Sequence, residues 1–210
     1  MHLSKVKLKS NSPRSRYSLG NPYEWHRVLW SLFRHIDGPK APFLFRVEDL
    51  SLSNGASVLL QSDSEPVETD SSATILLTKE FEPNFKKGSC FRFKLTANAT
   101  KTIRDSENLK RKLRVPLISR DEQISWLLKK FDGVCSLPLD QNGKPLVDIN
   151  SNNTLYFNTH KNGGHRGKIV TVNFEGLMLV QDPNLLDQYL KTGIGPAKSF
   201  GCGLLSLARV

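Results

Sequence analysis

The chain has 210 residues and a net charge of +10 at neutral pH. Its ordinary apolar content and dispersed aromatic residues are those of a folded protein, and its length suits one large domain or two of roughly 100 residues each. No apolar run approaches the roughly 18 residues needed to span a bilayer.

The start, Met1-His2-Leu3-Ser4-Lys5, has neither an apolar signal core nor a small-residue cleavage site, so a cytoplasmic location is expected. Residues 3–9 alternate as an edge or half-buried strand. Lys5, Lys7, Lys9, Arg14 and Arg16 all precede the first acidic residue, Glu24. Asn21-Pro22-Tyr23-Glu24 reads as a helix start: Asn21 caps, Pro22 takes the first position and Glu24 reaches back. Trp25, Val28, Leu29, Leu32 and Phe33 follow at helical spacing until Gly38-Pro39. Residues 43–47 and 57–61 read as strands joined by an Asn54-Gly55 turn, 62–72 as a loop or short helix, and 73–81 as a strand. This is a βαββ(α)β unit, followed by a linker at 84–88.

The pattern then restarts. Residues 91–97 read as a strand, 104–114 as a charged loop and 121–131 as a helix. Two strands, 154–158 and 168–174, flank a loop with Gly163-Gly164. Residues 177–180 extend the strand system, 183–191 form a short helix, and 204–208 make the last strand. Two successive units of this kind predict an α+β fold of two tandem ferredoxin-like (RRM-like) domains with antiparallel sheets, residues 1–83 and 88–210. Such a fold by itself says little about function.

Charge and cysteines narrow the class. Lys101, Arg104, Lys110, Arg111, Lys112 and Arg114 form a second basic stretch. No carboxylate lies between Asp148 and Glu175, where Lys161, Arg166 and Lys168 sit, and none follows Asp187, where Lys191, Lys198 and Arg209 sit. Repeated acid-poor stretches favour a polyanion partner. No basic amphipathic helix with bulky anchors offers a membrane alternative. Cys90, Cys135 and Cys202 stand alone, without zinc spacing, so neither a disulfide framework nor a structural metal is expected.

The C-terminal string Gly193-Ile194-Gly195-Pro196-Ala197-Lys198-Ser199-Phe200-Gly201-Cys202-Gly203-Leu204-Leu205 is neither a Walker A loop nor a dinucleotide fingerprint. Ala197, not glycine, precedes Lys198, and the string follows a helix and precedes a strand. Such backbone can approach phosphates through Gly193, Gly195, Gly201 and Gly203, or serve only as a long turn that positions the last strand.

This string resembles the glycine-rich loop of the CRISPR repeat-processing endoribonucleases, in particular the CasE family of crRNA-generating subunits of type I-E Cascade. The likeness extends to Leu3-Ser4-Lys5, Tyr23-Glu24-Trp25-His26 with Leu29-Trp30, Leu59-Leu60-Gln61-Ser62, Lys101-Thr102-Ile103, Arg114-Val115-Pro116-Leu117-Ile118, and Gly167-Lys168-Ile169 with Phe174-Glu175-Gly176. The resemblance implies two ferredoxin-like domains that bind the stem-loop of a CRISPR repeat and cut once at its 3′ base. It implies no metal or other cofactor, and product retention among the other Cascade subunits. It places the catalytic histidine on His26 and its companion tyrosine on Tyr23. A hairpin of the second domain would supply basic side chains to the RNA, which points to Lys161, Arg166 and Lys168. Arg27 and Arg34, on the histidine helix, are placed to reach the scissile phosphate or the core. Lys101, Lys198 and the four glycines complete the expected RNA contacts.

The chemistry of the residues agrees. RNA carries its own nucleophile, the 2′-hydroxyl, so cleavage needs in-line geometry, proton transfers and charge stabilisation. Tyr23 and His26, three apart, project from one helix face. Histidine titrates near neutrality, whereas tyrosine is a poor base at pH 7 and better suited to holding a phosphate or the attacking oxygen. His2 and His35 lack a supporting pattern, and His160 and His165 read as RNA contacts before metal ligands. The rival readings are a non-catalytic hairpin-binding subunit of the same complex and, last, a metal-dependent nuclease, for which clustered carboxylates are wanting.

Overall fold

The computed structural model describes residues 1–33, 43–68, 72–105, 112–159 and 166–210. The first half runs β1 (His2–Leu8), α1 (Pro13–Gly20), α2 (Pro22–Trp30), a 3-10 turn (Ser31–Phe33), β2 (Phe43–Ser51), β3 (Gly55–Ser62) and β4 (Ala73–Glu80). Its four strands form an antiparallel sheet in the order β2-β3-β1-β4. That order is the ferredoxin-like one, and it places β1 at the centre of the sheet. There Ser4, Val6 and Leu8 are buried while Lys5 is exposed, the alternation of a half-buried strand.

The second half runs β5 (Cys90–Ala97), β6 (Thr100–Arg104), β7 (Lys112–Pro116), α3 (Arg120–Phe131), β8 (Cys135–Ser136), β9 (Val147–Asn158), β10 (Arg166–Val180), α4 (Pro183–Thr192), a 3-10 turn (Lys198–Phe200) and β11 (Leu205–Arg209). Its sheet has the order β11-β5-β10-β8, with β9 also paired along β10, so the ferredoxin-like arrangement recurs. Each sheet has its own core. Leu29, Phe33 and Phe45 are among the residues of the first, and Phe93, Leu127 and Phe174 of the second.

Several expectations are corrected. α1 was not expected. It begins with a reciprocal cap in which the Ser12 hydroxyl accepts from the Ser15 amide at 3.1 Å and the Ser15 hydroxyl from the Ser12 amide at 2.9 Å. The charged segment 104–114 is no simple loop, because its described ends pair as the β6–β7 hairpin. Residues 168–174 and 177–180 belong to one continuous strand, β10, and β9 begins well before residue 154. Within 62–72 the described residues form no helix. The Gly38-Pro39 helix stop and the Gly163-Gly164 loop lie outside the described residues.

Both faces of β2 are covered. Phe43, Leu44, Phe45 and Arg46 are buried in succession, Phe43 and Phe45 in the first core and Leu44 and Arg46 against the second half. Arg46 donates to Glu48 at 2.8 Å and to the main-chain carbonyls of Lys94 and Leu204 at 3.2 and 3.4 Å. Gln61 on β3 donates to the Leu190 carbonyl at 2.6 Å. These bonds hold the two sheets together on either side of the glycine-rich string.

Candidate active site

α2 starts where the sequence predicts. The Asn21 side chain accepts from the Tyr23 amide at 3.3 Å and Pro22 fills the first turn, which needs no donor there. Three residues on from half-buried Tyr23, the His26 ring lies 5.2 Å from the Phe43 ring and 6.2 Å from that of Trp30. Burial among these aromatics strips water from the imidazolium and lowers the His26 pKa below its ordinary value.

The histidine opens into a cleft of about 540 Å³ between the two halves. Phe43, Leu44, Gln61, Ser62 and Asp63 line it from the first half, and Lys191, Thr192, Lys198 and Ser199 from the second. The Lys191 ammonium bonds Asp187 at 2.7 Å, and that carboxylate holds its pKa above the ordinary lysine value, with Asp63 adding to the effect. The Lys198 ammonium donates to the Thr192 carbonyl, which curls the string back onto the end of α4. The cleft thus joins an imidazole biased by burial toward its neutral form to two ammonium groups, suited to proton transfer beside an anion.

The glycines of the string serve packing and turns. Gly193, at φ 72°, faces Leu44 so closely that a Cβ would sit 2.9 Å from its methyls. Gly201, at φ 81°, lies against the Phe45 ring, where a Cβ would come within 3.2 Å. The amides of Gly193, Gly201 and Gly203 donate to the carbonyls of Tyr189, Lys198 and Thr96. Those three amides are thus engaged within the chain, as in a long turn. A Cβ on Gly195 would meet the Trp126 ring. Ala197 takes a left-handed conformation at φ 63°, uncommon for a residue with a side chain, just before Lys198.

The β9–β10 hairpin comes to the same place. The Asn21 amide donates to the Asn158 carbonyl at 2.9 Å and the Asn158 amide returns to the Asn21 side chain at 3.2 Å, so the cap of α2 is also the seat of the hairpin. Phe157 packs on Phe200 of the string, with ring centroids 4.7 Å apart, and on Gly167. Arg166 and Lys168 are exposed on β10, Lys168 opposite the exposed Tyr156. Helix, string and hairpin thus converge, as no local pattern in the sequence could show.

Other expected residues are placed elsewhere. Arg27 turns away from His26 into a second cleft lined by Ser12, Ser15, Glu24 and Ser31, where Glu24 holds its guanidinium at 3.1 Å. Lys101 bonds Glu122 of α3 at 2.7 Å. Arg34, His35, His160, Lys161 and His165 lie outside the described residues. Reasoning from sequence did not single out Lys191, Ser199 or Asp63 for the site. Lys191 carried only the general signal of the acid-free C-terminal stretch.

Comparison with known proteins places this geometry. The profile of a family described as CRISPR associated protein matches residues 1–209. The chain is similar to the CRISPR system Cascade subunit CasE of Escherichia coli K12, at 40% identity over 99% of each chain. It is 32% identical to the CRISPR-associated endoribonuclease Cse3 of Thermus thermophilus, over 99% of this chain and 100% of the relative. A structure of Thermus thermophilus Cse3 bound to an RNA representing a pre-cleavage complex superposes with a TM-score of 0.81 at 32% identity, covering 99% of this chain and 98% of that one.

Proposed function

Because the chain belongs to the CRISPR associated protein family over nearly its whole length, we propose that it binds the stem-loop of CRISPR repeat RNA, cuts pre-crRNA at the 3′ base of the stem, and stays with the mature crRNA in Cascade. The observation that carries this reading is full-length likeness to a Cascade subunit and to an RNA-cleaving relative. The protein is an endoribonuclease. Residues 1–83 form the unit that carries the histidine helix, and residues 88–210 the unit with the hairpin and the glycine-rich string. The separate sheets and cores support that division.

His26 takes the proton of the 2′-hydroxyl. Its lowered pKa supports the role, since a base must be unprotonated at the working pH. Tyr23 holds the phosphate or the attacking oxygen. Lys191 and Lys198, on the opposite wall of the cleft, offset the charge that builds on the phosphate oxygens. The 2′-oxygen bonds to phosphorus as the bond to the 5′-oxygen breaks, the 5′-oxygen takes a proton from solvent water while His26 returns its own to solvent, and the products are a 2′,3′-cyclic phosphate and a 5′-hydroxyl. An internal nucleophile needs no activated water, so no metal enters the scheme.

The test replaces the 2′-hydroxyl next to the cut with hydrogen. Cleavage should be abolished and binding kept, because shape and phosphate contacts dominate recognition of a stem. The parent RNA should be cut in excess EDTA. Comparable cutting of the deoxy substrate, or activity that returns only with added magnesium or manganese, would overturn the mechanism.

A further inference from the structure

Two hairpins leave the second sheet at the same end. The β5–β10 ladder stops at Ala97 and Val172, and the Asn98 side chain bonds the Val170 carbonyl just beyond it, at 2.7 Å. From there β10 continues to Arg166 with β9, while β6 sets out at Thr100 toward its own turn. Buried Gln123 fixes the foot of the second hairpin beside the first, donating to the Leu117 carbonyl at 2.9 Å and to the Asn152 side chain at 3.0 Å.

The β6–β7 hairpin has two unlike faces. Its register pairs Lys101 with Val115 and Ile103 with Leu113 on one face, and Thr102 with Arg114 and Arg104 with Lys112 on the other. The first face meets the protein along β7, where Leu113 and Val115 are half-buried, while on β6 Ile103 is exposed and Lys101 is held by Glu122. On the second face Arg104, Lys112 and Arg114 are all exposed, and among the described residues no carboxylate pairs with them. Two cations directly opposite each other in a strand pair destabilise it. The sequence keeps a third, Arg114, two residues along from Lys112 and diagonal to Arg104.

We propose that this hairpin is a second RNA arm, whose outer face of Arg104, Lys112 and Arg114 holds the phosphodiester backbone of the stem-loop beside the β9–β10 hairpin. A polyanion relieves the cross-strand repulsion and accepts three charge-assisted contacts without base readout. Among the described residues the outer face has no apolar anchor of the kind a lipid surface requires. The proposal rests on the reading of the chain as a stem-loop-binding protein.

The test compares two triple variants on a labelled repeat stem-loop from the protein's own CRISPR locus. Arg104→Gln, Lys112→Gln and Arg114→Gln empties the arm. Lys86→Gln, Lys87→Gln and Lys129→Gln removes equal charge at the other end of the sheet, where the Gly88 amide bonds the Val180 carbonyl. The arm variant should bind at least about tenfold more weakly at physiological salt. Its salt slope should flatten by roughly two to three, at 0.7–0.9 per lost phosphate contact. The control should bind like the parent. Amine acylation read by mass spectrometry provides a measurement on the parent itself: RNA should protect Lys112 and leave Lys86 and Lys87 reactive. Unchanged affinity and slope in the arm variant, an equal loss in the control, or an unprotected Lys112 would overturn the arm. A parent that fails to bind the stem-loop overturns the functional reading as well, whereas a binding parent with an unaffected arm variant overturns the arm alone.

Discussion

At His26 the neighbouring rings of Phe43 and Trp30 disfavour the charged imidazole, and this has two consequences with pH. A general base acts in its neutral form, so kcat/KM should be level above about pH 6.5 and fall only as acid reaches the lowered pKa of the free enzyme. Folding stability has the same sign. Below about pH 6.5 the unfolded chain takes up a proton that the folded histidine resists, so stability drops between that pH and the folded pKa and then levels. His26→Gln should remove that part of the slope in thermal melts, and an unaltered profile would mean that another group titrates. Truncation separates cutting from binding. His26→Ala should slow cleavage by about a hundredfold to ten-thousandfold, with stem-loop affinity close to the parent's in a gel shift. A collapse of affinity along with the rate would make His26 a binding residue. Little of this was legible locally, because a histidine among aromatics on a helix is ordinary packing. The resemblance singled out His26 and Tyr23, whereas Lys191, Ser199 and Asp63 enter the cleft only through the meeting of distant segments.

Asn21 belongs to two elements at once, as cap of α2 and as partner of the Asn158 main chain in β9. Asn21→Asp separates the two roles. Aspartate caps a helix as well as asparagine does, but it has no amide hydrogen to give the Asn158 carbonyl. Helix content by circular dichroism should hold. The single-turnover rate should fall between tenfold and about a hundredfold, the scale of a misplaced reacting geometry. An unchanged rate would show that the hairpin finds its seat without the cap. The elements themselves were unevenly legible. α2, α3 and α4 carry caps and apolar spacing that the sequence displays, and the structure finds them there. α1 escaped because it is short, serine-rich and weakly amphipathic, although Ser12-Pro13 was a valid start signal. β6 and β7 escaped because charge masked their alternation. Among their residues one face is cationic and the other apolar with a lysine, which reads as a charged loop until the register is known.

At the junction of the two halves, buried polar side chains of the first meet main-chain atoms of the second. Arg46, only 4% exposed, gathers Glu48 and two carbonyls of the second half, while Gln61 holds a third at the end of α4. Arg46→Ala leaves those acceptors dry and unmatched, which costs about 2 kcal/mol, a fall in Tm of roughly 4–8 °C for a chain of this length. A melt within a degree of the parent's would mean that water replaces the guanidinium freely. Binary patterning revealed both βαββαβ-like units, because each sheet buries one face against its own helices. It was silent on their junction, where β2 is buried on both faces and polar side chains meet peptide carbonyls. The acceptors at Lys94, Leu190 and Leu204 are all main-chain atoms, which every amino acid presents alike. Those acceptors tolerate a change of side chain, but Lys94 also pairs its ammonium with Glu48 at 3.6 Å, and Gly193 and Gly201 leave no room for a Cβ against Leu44 and Phe45. A chimera that fuses residues 1–83 to the second half of a relative should assemble and melt as one unit where that half keeps both glycines and a cation at position 94, and as two transitions where it does not.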